Sequence, residues 1–294
     1  MEHIYLKGLG IALITPFKRN GDVDYAALSR LTDYLLQNGV DYLVVMGTTG
    51  EPSTLSSEEQ KTIVQSVITQ VNGKIPVILG LGGNCTRAVL EKIETGDFSG
   101  ISAILSVVPY YNKPTQEGIY RHYKCIATVA PLPVILYNVP SRTGVNMTAE
   151  TTLRLAKEHA NIVAVKEASG NCEQILRILN EKPAGFQVIS GDDTLALELI
   201  EAGASGVISV IGNAFPLLFG QMAHLALSGN YAQAQVIHQR FSELFELLFV
   251  DGNPAGIKNM LYRMGYIENE LRLPLVPVSA AIGDKIGKAM DSFF

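Results

Sequence analysis

Lys166 closes an otherwise apolar run, Ile162-Val163-Ala164-Val165, and the chemistry of the chain would start there. Desolvation disfavours an ammonium, and a neutral amine can attack a carbonyl to form a Schiff base. A lysine that snorkels to a rim, or pairs with the adjacent Glu167, fits the same residues. Tyr137 ends a second apolar run, Val134-Ile135-Leu136, and offers a phenol able to shuttle protons to and from a carbinolamine. As packing alone it would be a half-buried tyrosine capping the core.

Thr48 and Thr49 lie between Gly47 and Gly50, which reads as a simple turn or as a small nest of backbone N–H groups and hydroxyls around a carboxylate. A keto acid presents such a carboxylate beside its carbonyl. Arg142, in the turn after Tyr137-Asn138-Val139-Pro140, is either an ordinary surface arginine or a guanidinium holding a second carboxylate bidentately. Two acid-binding groups imply two acidic substrates.

These residues need a frame that brings them to one face. Short apolar runs at 10–15, 42–47, 76–80, 101–107, 134–138, 162–166, 187–190 and 206–209 predict strands. Amphipathic stretches at 25–37, 57–71, 86–94, 116–128, 149–158, 173–180 and 194–201 predict the helices between them. Eight βα units with mostly apolar strands suit a closed (β/α)8 TIM barrel, in which the reacting groups sit at the C-terminal ends of the strands. Gly47–Glu51 (47–51), Pro109-Tyr110-Tyr111-Asn112, Tyr137–Arg142 (137–142) and Lys166-Glu167 all fall there. Stretches at 215–228, 231–249, 255–264 and 280–292 predict consecutive helices, so the chain divides into a barrel over 1–212 and a C-terminal helical appendage over 213–294.

Of 294 residues 47% are hydrophobic and 17% charged, enough for a sizeable core. The net charge of −5 and the lack of any Lys/Arg-rich run argue against nucleic acid or an acidic membrane, leaving small molecules as partners. Cys85, Cys125 and Cys172 are few, odd in number and without C-x-x-C spacing, which points away from disulfides and zinc and towards a reducing cytoplasm. The N-terminus lacks a basic region followed by an apolar stretch, so no secretion is expected, and no run is long and apolar enough for a membrane span. Gly80-Leu81-Gly82-Gly83-Asn84-Cys85 breaks the dinucleotide-binding pattern at its last position, and the five histidines have no metal-ligand spacing. Asp192-Asp193 reads as a helix N-cap pair rather than a metal site.

Gly47-Thr48-Thr49-Gly50-Glu51, Tyr137-Asn138-Val139-Pro140-Ser141-Arg142-Thr143-Gly144, Lys166-Glu167-Ala168 and Ser190-Gly191-Asp192-Asp193 follow one another in a specific order and spacing. In them the chain resembles the dihydrodipicolinate synthase / N-acetylneuraminate lyase family of pyruvate-dependent class I aldolases, over nearly its whole length. The resemblance implies that pyruvate forms an imine with Lys166, becomes an enamine and adds to L-aspartate 4-semialdehyde, with cyclisation to 4-hydroxy-tetrahydrodipicolinate on the route to diaminopimelate and lysine. It implies no metal or organic cofactor. By the same matching Tyr137 is the proton donor, Thr48 and Tyr111 complete its relay, Thr49 binds the pyruvate carboxylate and Arg142 holds that of the semialdehyde. Gly191 and Ile208 would line the pyruvate pocket. A homotetramer of tight dimers is implied too, with Tyr111 entering the neighbouring subunit's site.

A sister lyase acting on N-acetylneuraminate or a keto-deoxy sugar would share Lys166 and Tyr137 but generally lack the arginine at 142. A catalytically dead keto-acid-binding barrel would be expected to have lost Lys166 or Tyr137, and both are present. In strongly lysine-inhibited members a cleft at the dimer interface sets histidine and glutamate near the bound amino acid. Here Ser57, Gln60 and Ala88 stand at the matching positions, beside Asn84 and Tyr110, which do match, so weak or absent inhibition is expected.

Overall fold

The computed structural model describes residues 4–293; the first three residues and the last, where the expectation for the N-terminus and the end of the appendage partly fall, lie outside the described residues. Eight parallel strands close into a barrel in sequence order, β1 Gly8–Ala12, β2 Tyr42–Val45, β3 Val77–Gly80, β4 Ala103–Val107, β5 Val134–Asn138, β6 Ile162–Glu167, β7 Gln187–Ser190 and β8 Gly206–Ser209. The helices between them are α1 Tyr25–Gln37, α2 Ser57–Val71, α3 Thr86–Thr95, α4 Gln116–Val129, the single turn α5 Pro140–Thr143, α6 Ala149–Glu158, α7 Cys172–Glu181 and α8 Ala196–Glu201. Then come α9 Pro216–Leu227, α10 Tyr231–Arg240, α11 Ser242–Phe249, α12 Ala255–Arg263 and α13 Ala280–Met290.

Side chains alternate along each strand between the barrel interior and the helical ring. The interior holds Ala12, Tyr42, Val44, Ile78, Leu105, Ile135, Tyr137, Ala164, Ile189 and Ile208, among others. Capping fixes where helices begin. Ser56 and Glu59 form a reciprocal capping box on α2, and Asp24, Thr115, Thr148 and Asn171 each accept a backbone N–H at the start of α1, α4, α6 and α7. Among the described residues no helix is long and apolar enough to cross a membrane.

Two elements depart from expectation. β1 runs over Gly8–Ala12 rather than 10–15, because Gly8, a residue that would weaken an isolated strand, is what the barrel needs where β8 closes on it. Gly8 pairs with Gly206, and a Cβ on Gly10 would lie 2.1 Å from the Tyr42 ring inside the barrel. The expected helix over 231–249 breaks at Phe241, whose N–H turns back to His238 O at 3.0 Å. Its fully buried ring packs among Phe219, Phe245 and Phe293, and that aromatic cluster outweighs continuity of the helix.

Candidate active site

Lys166 pairs in register with Tyr137 on β5 and with Ile189 on β7, so all three side chains enter the barrel at one level. Lys166 is only 6% exposed, and its Nζ lies 4.5 Å from the centroid of the Tyr137 ring. The alternation that turns Lys166 inwards turns Glu167 outwards. Glu167 Oε1 accepts from Asn138 Nδ2 at 2.8 Å and Gln174 Nε2 at 2.9 Å, and Oε2 accepts from Ser169 N at 3.1 Å. Burial raises its pKa against the pull of those donors. Pairing of Lys166 with Glu167 is therefore excluded, and among the described residues Lys166 makes no ion pair.

The stem of Lys166 needs a glycine beside it. A Cβ on Gly191 would stand 2.9 Å from Lys166 Cε and 2.8 Å from Ala168 Cβ. Ile208 is wholly buried in the same interior cluster as Tyr137 and Ile189.

β2 ends where Met46 turns to φ 57, and Gly47 then leads into a tight turn, Thr48–Gly50, closed by Gly50 N to Gly47 O at 2.9 Å. Thr48 faces a cavity shared with Gly47, Val107, Tyr137 and Arg142, which runs sideways over Leu81 into a groove between α2 and α3. Thr49 is buried, and its Oγ1 accepts from Asn253 Nδ2 at 3.0 Å. Arg142 lies on the turn α5, which Pro140 opens with its fixed φ, and its exposed guanidinium makes no ion pair or hydrogen bond among the described residues.

The structure thus brings Thr48, Tyr137 and Arg142 to one cavity, with Lys166 against Tyr137 at the same level of the barrel and Gly191 against the lysine stem. It does not bring Tyr111 there. That side chain is 86% exposed, its backbone at φ 73 is tied by N–H to Thr143 O at 3.2 Å, and it is Tyr110 that lines the cavity. The aspartate pair also differs from expectation. Asp192 Oδ1 accepts from Thr194 N at 2.8 Å, whereas Asp193 reaches across to Val210 N and Ile211 N at 3.0 and 2.8 Å, capping the turn after β8 instead of its own helix. Burial raises the pKa of Asp193 to about 6. Nothing local marks Asn253, whereas Lys258, buried on α12 against Glu51, has one sequence signal: a lysine flanked three residues away on either side by Ala255 and Leu261.

Residues 5–292 match the family model described as the dihydrodipicolinate synthetase family. The chain is 62% identical over 290 residues to a 4-hydroxy-tetrahydrodipicolinate synthase of Parabacteroides distasonis, covering 99% of this chain and 98% of that one. Among solved structures, a dihydrodipicolinate synthase of Thermotoga maritima is 41% identical with TM-score 0.96, covering 98% and 99% of the two chains. One from Cyanidioschyzon merolae with lysine bound is 42% identical with TM-score 0.94, covering 98% of each.

Proposed function

The chain belongs to the dihydrodipicolinate synthetase family, and on that premise we propose how its own residues carry the reaction. It is a Schiff-base-forming enzyme that condenses pyruvate with L-aspartate 4-semialdehyde to give 4-hydroxy-tetrahydrodipicolinate. The amine of Lys166 attacks C2 of pyruvate, and Tyr137 protonates the carbinolamine oxygen so that one water leaves and an imine remains. Loss of a methyl proton gives the enamine, whose C3 forms a bond to the aldehyde carbon of the semialdehyde while that carbonyl oxygen takes a proton. The amino group of the semialdehyde then attacks C2, closing the ring and releasing Lys166.

Thr48 passes protons to Tyr137. The N–H groups of the turn, with Thr49, receive the pyruvate carboxylate, while Arg142 takes that of the semialdehyde. Gly191 and Ile208 shape the pyruvate pocket. No metal or organic cofactor takes part in this scheme. Tyr111 completes the relay in a second copy of the chain, a role consistent with its exposure, within a homotetramer built from tight dimers. Of the described residues, those up to 212 make up the barrel and those from 213 a helical appendage, a division of the chain at 212/213, and the free thiols of Cys85, Cys125 and Cys172 suit the cytoplasm.

The observation that carries this reading is the buried amine of Lys166 against Tyr137, without an ion-pair partner among the described residues. Borohydride with pyruvate should trap one adduct per chain, and peptide mapping should place it on Lys166; an adduct elsewhere, or none, would overturn the mechanism.

A further inference from the structure

The turn that carries Thr48 and Thr49 is held by residues far along the chain. The hydrogen bond from Asn253 Nδ2 to Thr49 Oγ1 spans 204 positions, and Asn253 Oδ1 meets no donor among the described residues, so the amide serves Thr49 alone. With one lone pair occupied from behind, the hydroxyl hydrogen of Thr49 is left to be donated elsewhere. Two residues on, Glu51 stands at φ 53, a conformation a non-glycine residue keeps only where its surroundings impose it.

Those surroundings come from the last helices. Lys258 Nζ lies 2.5 Å from Glu51 Oε1 with both side chains wholly buried, an ion pair rather than an aligned hydrogen bond. Lys258 also donates to Glu270 O at 2.9 Å and sits 4.2 Å over the Phe17 ring. Arg272 N donates to Glu51 Oε2 at 3.3 Å, and its guanidinium reaches the two oxygens of Glu59 at 2.9 and 2.5 Å. Desolvating two charges offsets most of their attraction, so a buried pair adds little net stability. Its consequence is positional.

We propose that Asn253 and Lys258 are positioning residues for pyruvate, fixing the turn after β2 so that the N–H groups of Thr48 and Thr49 and the Thr49 hydroxyl meet the keto-acid carboxylate. This rests on the reading that the turn binds pyruvate and that Lys166 forms the imine.

The test is the pyruvate concentration that gives half-maximal borohydride trapping at Lys166, measured with KM for each substrate, kcat and the thermal midpoint. N253A removes the hydrogen bond to Thr49, and the double variant E51Q/K258M removes the ion pair without leaving a lone charge. Each should raise the half-trapping concentration and the KM for pyruvate about tenfold, while kcat at saturation stays within about threefold and the KM for the semialdehyde is unchanged. Unchanged half-trapping in N253A overturns the proposal, whatever its thermal midpoint and whether or not the double variant folds. An equal rise in KM for both substrates overturns it too, because it reports general loosening. Wild-type enzyme that traps no pyruvate at Lys166 overturns instead the reading of the site beneath it.

Discussion

Tyr137 and Lys166 face one another across adjacent strands, register partners whose amine and ring centroid lie 4.5 Å apart. Replacing Tyr137 with Phe keeps the ring against Lys166 Nζ and removes only the phenolic hydroxyl. Turnover should fall about 10²–10³-fold with an unchanged thermal midpoint, the cost of a positioned proton-transfer group. Near-normal turnover would demote Tyr137 to packing.

Gly191 leaves room for the stem of Lys166. In Gly191→Ala the new methyl would meet Lys166 Cε at 2.9 Å, so the lysine must shift. A misplacement of about 1 Å costs on the order of 10²-fold in rate, and single-turnover imine formation should slow by at least about tenfold. Wild-type kinetics of imine formation would mean that the lysine bends aside freely.

Among the described residues Arg142 has no ion-pair or hydrogen-bond partner to satisfy, so its removal should leave folding intact. Arg142→Ala should lower kcat/KM for the semialdehyde by roughly ten- to a hundredfold, with pyruvate trapping unaffected. An equal loss in trapping would make it a structural residue.

The pair Glu59–Arg272 supplies a pH signature. Hydrogen bonds from Arg272 hold the Glu59 carboxyl at about 2, below its ordinary 4.5. Because the folded value is depressed, the stabilisation is complete above about pH 4.5 and is lost as pH falls towards 2. Wild type should lose thermal midpoint faster than Glu59→Gln on acidification through that window. Parallel curves would show that Arg272 finds compensation elsewhere.

Lysine should inhibit weakly or not at all. Gln60 Nε2 donates inwards to Pro52 O and Leu55 O at 2.9 and 3.2 Å, and neither Ser57 nor Ala88 offers a carboxylate to an ammonium. Initial rates across a lysine titration should give half-inhibition above about 1 mM. A value well below that would reveal an ammonium site made by other groups.

The barrel, and the strand ends that carry the candidate residues, are legible because local pattern carries both. Ile162-Val163-Ala164-Val165-Lys166 announces a strand and its terminal amine, and strict βα alternation places the amine beside Tyr137. What escaped depends on contacts no local window contains. The two leading residues of β1, Gly8 and Leu9, look like loop until Gly206 and Val207 of β8 pair with them. The break at Phe241 follows from rings gathered across the appendage, including Phe219 and Phe293. Asp193 looks like a cap for the helix beside it, yet its carboxylate serves the turn after β8, 17 and 18 positions away.

The bond between Asn253 and Thr49 also sets an order of events during synthesis. Lys166, Tyr137 and Thr48 all leave the ribosome before residue 206, whose pairing with Gly8 closes the barrel. Even a closed barrel then waits for Asn253 and Lys258 to emerge before its second loop is tied down. Contacts of such long separation form late. A chain cut short before Asn253 would carry all eight strands of the barrel and yet leave the turn after β2 without its two distant partners.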